Sequence, residues 1–515
     1  VSFPRNDGLL AATITVTSLG DNTTIDGQVT LREAIEAANL DTSVDGSTPG
    51  SGADQIVFAT GPGTILLSGA PLPAVVDDLT ITGLGANQLT VDGADQTRVF
   101  EIAGGVAVQI SDLTIARGRS TNDGAGILNW GTLTISNCTL SANATTTNGG
   151  GIFNAGTLTI GNSSFSSNSA LNGGGIYNDG GGLIMNSTFS GNFTGGIAPF
   201  AGGGGAILNQ VMLTVMGSTL SGNTAGNGGG MVNTGGDLTV INTTLSGNEA
   251  INSGGGISNL SFMLTITNST FAANRSDSNG DATGKGGGIS DTWSVVTIHN
   301  SVVARNFNGT GTRASDLEGT ADAASSSNLI GVDTGLSGIS NGTNGNLIGA
   351  PGAPIDPLLG PLSDNGGLTQ THALLSGSPA IDSGDDSLCP AADQRGVLRP
   401  HDGDGDGAAT CDMSAFEVAS CQGAGVYRLT GKTSKMHRLR ASAPIPFRNL
   451  TIRLAGPSCA DTTTTDSRGE FLFDNLAEGT YSVSPSNAAC RFKRPSWTVA
   501  IAGKDEFVVF VGVCP

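Results

Sequence analysis

The residues best suited to chemistry are acidic and lie late in the chain. In the run DGDGDG at 402–407, Asp402, Asp404 and Asp406 alternate with glycines. Carboxylates at positions 1, 3 and 5 with Gly at position 6 form the first half of a calcium loop, which needs oxygen ligands on a sharply turning backbone. Position 12 is Met413 instead of Glu, with Asp412 and Glu417 close by. We expect Ca2+ as the sole cofactor; the competing reading is a hydrated Asp/Gly turn. A second set, Asp291, His299, Arg305, Asp316 and Glu318, contains the groups a β-helix polysaccharide lyase or hydrolase would use. A hydrolase needs two carboxylates ~5–9 Å apart, and a lyase needs a base. Between Arg119 and Arg275 there is no Lys, Arg or His, and the only acids are Asp123, Asp179, Asp237 and Glu249. Asp179 and Asp237 fall two or more repeats apart, too far to act as a pair. We expect no catalytic residues. His299 reads as an exposed substitution, His372 and His401 as packing or turn groups, and His437 as part of a solvated basic face.

The elements that must position these groups are written as a repeat over residues 124–306. GAGILN (124–129) and its six successors place a glycine cluster, an aliphatic pair and an Asn or Asp; a Leu-Thr-Ile-like strand and an Asn-Ser-Thr-like tail follow. The closing asparagines, from Asn143 to Asn306, are spaced 25, 24, 31, 25, 26 and 32 residues apart. A period near 25 with short β-branched runs, broken by Gly and Asn, reads as stacked coils. One unit cannot bury its own apolar face, whereas strands of successive units paired in parallel can. Asn129, Asn154, Asn178, Asn209, Asn233 and Asn259 recur in register and are expected to bond coil to coil as a ladder. The fold class is therefore all-β: a parallel β-helix solenoid, expected right-handed, of about twelve coils at ~4.8 Å per coil.

Composition narrows the partners. The net charge of −20 opposes nucleic-acid binding, which needs a basic surface. No run of 18 apolar residues suggests a transmembrane helix. Residues 1–425 hold 11 Lys and Arg against 36 Asp and Glu, whereas residues 426–515 hold 12 against 7. An acidic body with a basic tail could associate head to tail. Six of the seven cysteines fall after residue 388, the pattern of disulfide-bonded terminal modules in an exported protein. We pair Cys389 with Cys411, Cys459 with Cys490 and Cys421 with Cys514, a choice that spacing alone does not fix. Cys138 is expected free and buried. With Val1 at the start, we read a mature chain whose export signal has been removed. Asn-X-Ser/Thr sequons, including those at Asn143, Asn162, Asn186, Asn192, Asn242, Asn268 and Asn308, could carry glycans, although the repeat tail generates them anyway.

Four regions follow. Residues 1–49 hold an extension suited to docking by strand addition, a strand (12–18) and a helix (29–41). Thr30 and Glu33 make a capping box there, and Leu31, Ile35 and Ala38 share one face. Such a helix would cover the first coil and block its open edge. Residues 50–355 are the solenoid, 356–420 its last coils and cap, and 421–515 a small Ig-like β-sandwich. TLREAIEAAN at 30–39 resembles the CSLREA region of secreted, repeat-rich bacterial surface proteins, with Val29 where that motif has cysteine. DPLLGPLSDNGGLT, HALLSGSPAID, DQRG and CDMSAFE resemble the choice-of-anchor Q domain that follows β-helix repeats in exported bacterial proteins. TTTTDSRGEFLFDNLAEGTYSVSPS resembles the carboxypeptidase-regulatory-like, prealbumin-type modules that act as stalks and carry no active site. These resemblances imply a secreted or cell-surface bacterial protein.

The leading expectation is a non-catalytic extracellular structural protein, an adhesin or fibre subunit that self-associates into a filament. A β-helix polysaccharide lyase or hydrolase is one alternative. The other is a non-catalytic binder of glycans or a host surface, for which Trp130, Phe153 and Tyr177 are the scattered aromatic candidates.

Overall fold

Within each repeat the apolar residues alternate with hydroxyl residues, so one side of every strand must face an interior and the other water. The computed structural model describes residues 11–515 except 196–201, 261, 405, 421–426, 437–444, 457–458, 477–478, 487–490 and 514–515. A representative coil runs Ile127–Asn129, Thr132–Ser136, Thr139–Ser141 and Ala144–Thr145, then begins again at Ile152–Asn154. Each strand pairs in parallel with its counterpart one coil on, giving sheets of ten, eleven, twelve and nine strands in that order. This is a parallel β-solenoid.

The register is in phase from coil to coil. Ile135, Ile160, Ile184, Val215, Val240, Ile266 and Ile298 form one unbroken inward column, each fully buried. Burying such a side chain contributes about 1.5–3 kcal/mol. Unequal repeat lengths are absorbed in the turns and leave this column intact. In the seven repeats the turn into the ten-stranded-sheet strand requires glycine: at Gly149, φ is +69°, and a Cβ would lie 2.3 Å from the Ile152 carbonyl oxygen.

The N-terminal end is closed as the sequence suggests. Leu31–Leu40 is helical, with Thr30 and Glu33 bonded reciprocally as a capping box and Asp41 left-handed at the C-cap. Leu31, Ala34, Ile35, Ala37 and Ala38 join the solenoid core beside Ile14 and Val16. Thr13–Val16 pairs in parallel with Asp54–Phe58, so the strand read at 12–18 is the first strand of the solenoid. Residues 1–10, the docking segment proper, lie outside the described residues.

The chain divides into two units, residues 1–355 with 368–370, and residues 356–367 with 371–515. Residues 356–420 do not supply further coils. Their described strands, Leu359–Ser363, Thr371–Leu374 and Ala419–Ser420, join none of the four solenoid sheets, and the last solenoid strand is Leu347–Ile348. The Pro- and Asp-rich text of this segment has no inward aliphatic alternation to continue the stack. The C-terminal region forms two small, mainly antiparallel sheets around Leu429, Leu454, Phe473, Tyr481, Val483 and Phe510.

Candidate functional site

The polar groups of the solenoid interior are built into axial ladders. Asn129 donates through Nδ2 to Asn154 Oδ1 at 2.6 Å, and Asn154, Asn178, Asn209 and Asn233 each donate to the next, ending at Asn259, at 2.8–2.9 Å. Asn259 then donates to Asp291 Oδ1 at 2.7 Å. A second ladder, at the far end of the twelve-stranded-sheet strands, runs Asn143, Asn168, Asn192, Asn223, Asn248, Asn274 and Asn306 at 2.8–3.0 Å. Each of its carboxamide oxygens after the first also accepts the backbone N–H of the preceding asparagine, as when Asn168 Oδ1 accepts from Asn143. It ends where Asn306 Nδ2 donates to Asp316 Oδ1 at 3.0 Å. A carboxamide both donates and accepts, so it can chain; a thin interior leaves such groups no water. The second ladder was visible in the sequence as the closing asparagines, whose recurrence with small neighbours was the available signal.

These ladders account for two of the five residues of the candidate catalytic set, Asp291 and Asp316. Asp291 and Asp316 are buried ladder ends at different corners of the coil. Asp291 also accepts from Ser294 Oγ at 2.5 Å, while its Oδ2 has no partner. Burial pushes the Asp316 carboxyl up to about 7, against the N–H groups of Asn306 and Val332 that favour its ionised form. Glu318 pairs with Lys285 Nζ at 2.6 Å. His299 Nδ1 lies 3.0 Å from Ser326 Oγ, and Arg305 occupies a left-handed turn at φ +60°. Asp123 is tied to the Asn148 N–H at 3.0 Å.

In the second unit the pieces DQRG and CDMSAFE converge on a buried ionic knot. Arg399 pairs with Glu417 and Arg395 with Asp393, each at 2.7 Å, and Arg395 lies 3.5 Å over the Phe416 ring. Burial depresses the Arg399 pKa and raises those of Asp412 and Glu417. Asp412 Oδ1 accepts the Asp382 N–H at 2.8 Å, which fixes Asp382 next to the acidic loop. His372, also in this unit, is buried with Nδ1 2.7 Å from the Gly360 carbonyl oxygen, and the His401 N–H donates to Glu417.

The acidic loop differs from its expected ligand set. Asp382, Asp402 and Asp404 offer oxygens within 4.8 Å of one another. Asp406 instead accepts the Ala408 N–H at 2.8 Å, as an ordinary Asx turn does. Asp382 receives N–H groups from Asp404 at 2.8 Å and Gly403 at 3.3 Å, and burial, with help from Asp404, raises its pKa. Among the described residues, Asp382, Asp402 and Asp404 are the acidic groups close enough together to hold a hard divalent cation. Asp382 lies 20 residues upstream of Asp402, where sequence spacing gives no hint of it.

Cys389 and Cys411 are joined, with Cα atoms 6.7 Å apart. Cys459 is disulfide-bonded; Cys421, Cys490 and Cys514 lie outside the described residues, as does His437. Cys138 is free and buried, and desolvation pushes its thiol up to about 11. Of the sequon asparagines named above, 143, 192, 242, 268 and 308 are buried, whereas Asn162 and Asn186 are not. Trp130, Phe153 and Tyr177 are not scattered. They stack on successive coils with centroids 5.9 and 5.3 Å apart, and the nearly parallel Phe153 and Tyr177 rings turn their faces to each other. Among the described residues no helix is long and apolar enough to cross a membrane. No family model matches the chain, and no curated protein matches it.

Proposed function

We propose that the chain is a non-catalytic extracellular structural protein, a surface rod or fibre subunit joined head to tail through its terminal regions. The observation that carries this reading is the role of the late acids. Asp291 and Asp316 terminate buried ladders and Glu318 closes a surface ion pair, so the three acids named for polysaccharide chemistry have structural work. A Cys389–Cys411 disulfide suits an oxidising compartment. The resemblance of the N-terminal, cap and C-terminal segments to modules of secreted bacterial surface proteins supports the same location. The acidic body and basic tail supply unlike surfaces, and a contact between unlike surfaces generates a filament when its rotation does not close. Ca2+ in this reading is a structural ion held by Asp382, Asp402 and Asp404.

Electron microscopy of the full chain at low and high salt tests the assembly. End-to-end strings that shorten as salt screens the contact are expected. Single particles at every concentration and salt would overturn it. The polysaccharide-active alternative is tested on pectin- and alginate-like polymers, where turnover abolished by replacing Asp291, Asp316 or Glu318 would replace the structural reading.

A further inference from the structure

One turn row of the solenoid sets an open aromatic ring beside free hydrogen-bonding groups. The residue after each ten-stranded-sheet strand is Ala103, Trp130, Ala155, Asp179 and Gln210 on successive coils. The backbone ladder runs on through them: the Trp130 N–H donates to the Ile102 carbonyl, Ala155 to Asn129, Asp179 to Asn154 and Gln210 to Asn178. Successive rungs are therefore ~4.8 Å apart. Trp130 has alanine on either side in this row and is 51% exposed. It is nonetheless held. It leans on buried Phe153 at 5.9 Å between centroids, Phe153 stacks on Tyr177 at 5.3 Å, and the Tyr177 hydroxyl accepts Gln210 Nε2 at 2.6 Å. One buttress thus fixes both the indole and the Gln210 carboxamide. Asp179 is exposed, and among the described residues its carboxylate has no partner. The surroundings are negative. Burial first, and then the charges of Asp179 and Asp123, push the Tyr177 phenol up. Glu101 sits one coil before Leu128 in the same outward row. The neighbouring cation, Arg98, is taken by Glu101 at 2.7 Å and by the Gly124 and Asp123 carbonyls at 2.9 Å.

We propose that this row binds a neutral polysaccharide, with one sugar stacked on the Trp130 indole and the next bonded to Asp179 and Gln210. A pyranose presents C–H groups on its flat faces and hydroxyls around its rim. The polarised C–H groups pack on the negative face of an indole, and the hydroxyls need acceptors to the side. The row supplies both, with the Asp179 rung ~9.6 Å and the Gln210 rung ~14 Å from Trp130. Ala155 between them leaves room above the turn. The buttress orders the ring and the carboxamide before the ligand arrives, which lowers the cost of binding. An acidic polymer would meet Asp179, Asp123 and Glu101 with no free cation to receive it. A quaternary ammonium group would call for a cage of several open ring faces, and here Phe153 is buried beneath its neighbours. The row lies on the flank of the rod, so the proposal goes beyond the end-to-end reading and does not rest on it.

The test is calorimetric titration of the full chain with cellohexaose, mannohexaose and xylohexaose, beside hexagalacturonate and choline. Saturable binding of at least one neutral hexaose is expected, with no turnover. Trp130→Ala should weaken it at least tenfold and Asp179→Ala several-fold, with unchanged circular-dichroism spectra. Trp130→Phe keeps a ring and should retain most of the affinity. Trp293→Ala removes another exposed indole, 79% open, and should change nothing. Absence of binding to all three neutral hexaoses overturns the proposal. So does affinity that survives Trp130→Ala or falls equally in Trp293→Ala, and so does tighter binding of hexagalacturonate or choline.

Discussion

Asn306 gives its side-chain N–H to Asp316 Oδ1 at 3.0 Å, and the ladder stops there. Asn306 also donates its backbone N–H to the same oxygen at 2.9 Å, while Asp316 Oδ2 accepts from Val332 at 2.8 Å. Every earlier rung must pass a donor onward, which only a carboxamide can do. The last rung needs acceptors alone, and there the chain writes Asp. The Asn259–Asp291 contact repeats this logic in the other ladder.

This placement makes stability depend on pH. Unfolded Asp titrates near 3.8, whereas burial holds folded Asp316 at about 7. Between those values the folded chain keeps a proton that the unfolded chain has lost. Asp316 therefore makes stability fall as pH rises from about 4 to about 7, by up to about 1.4 kcal/mol per unit, and contributes no further change above that window. Hydrogen exchange at the Asn306 and Val332 amides should report it locally as protection that declines across the window. Asp316→Asn should flatten the profile; an unchanged slope in that variant would refute the assignment.

The disulfide makes a separate prediction for the second unit. Cys389 and Cys411 are 22 residues apart, and closing a loop of that size is worth about 3 kcal/mol in the chain-entropy account. Cys389→Ser with Cys411→Ser should lower the unfolding midpoint of the second unit and leave the solenoid transition in place. Limited proteolysis between 380 and 415 reads the difference. Equal protection of the wild type and the double variant would show that the buried Arg399–Glu417 pair alone holds this segment.

The solenoid was legible because each inward position repeats locally: Ile135 announces Ile160 and Ile184 at nearly constant spacing. The helix was legible for a similar reason, since Thr30 and Glu33 interact within one turn. Relations across coils of unequal length were not. Phe153 and Tyr177 looked isolated until the register stacked them. Met185 and Met216 are 31 residues apart in sequence and neighbours in the sheet. Several sequons fall on an asparagine that the coil buries, as at Asn192, which the motif alone does not reveal. The segment around the acidic loop departed furthest, since Asp382 meets Asp402 and Asp404 through a loop with no periodicity at all.

That displacement sharpens the calcium expectation. A cation held by Asp382, Asp402 and Asp404 should stabilise the second unit by about 2.7 kcal/mol when calcium exceeds its Kd a hundredfold, and chelation should reverse it. Asp382→Asn should abolish the effect. Asp406→Asn should spare it, because that carboxylate is turned to the Ala408 N–H. Calorimetric titration with Ca2+ separates the two. No heat with the wild type removes the ion from the account, and loss in Asp406→Asn restores the ligand set expected from spacing.

A carboxylate placed mid-ladder should behave in the opposite way to one at its end. Asn192 Nδ2 donates to Asn223 Oδ1 at 3.0 Å and to the Phe165 carbonyl at 2.9 Å, while its Oδ1 accepts from Asn168. Asn192→Asp keeps the acceptor and removes both donors, setting buried oxygens against one another. The cost should be at least about 3 kcal/mol at neutral pH, measured as a lower denaturant midpoint. Lowering the pH should partly rescue the variant, because the protonated carboxyl regains one O–H to offer Asn223. Asn192→Ala, also destabilised, has no proton to regain and should show no such rescue. A neutral-pH Asn192→Asp as stable as the wild type would mean that the ladder tolerates a break, and that the order of Asn along the rod and Asp at its end carries no energetic weight.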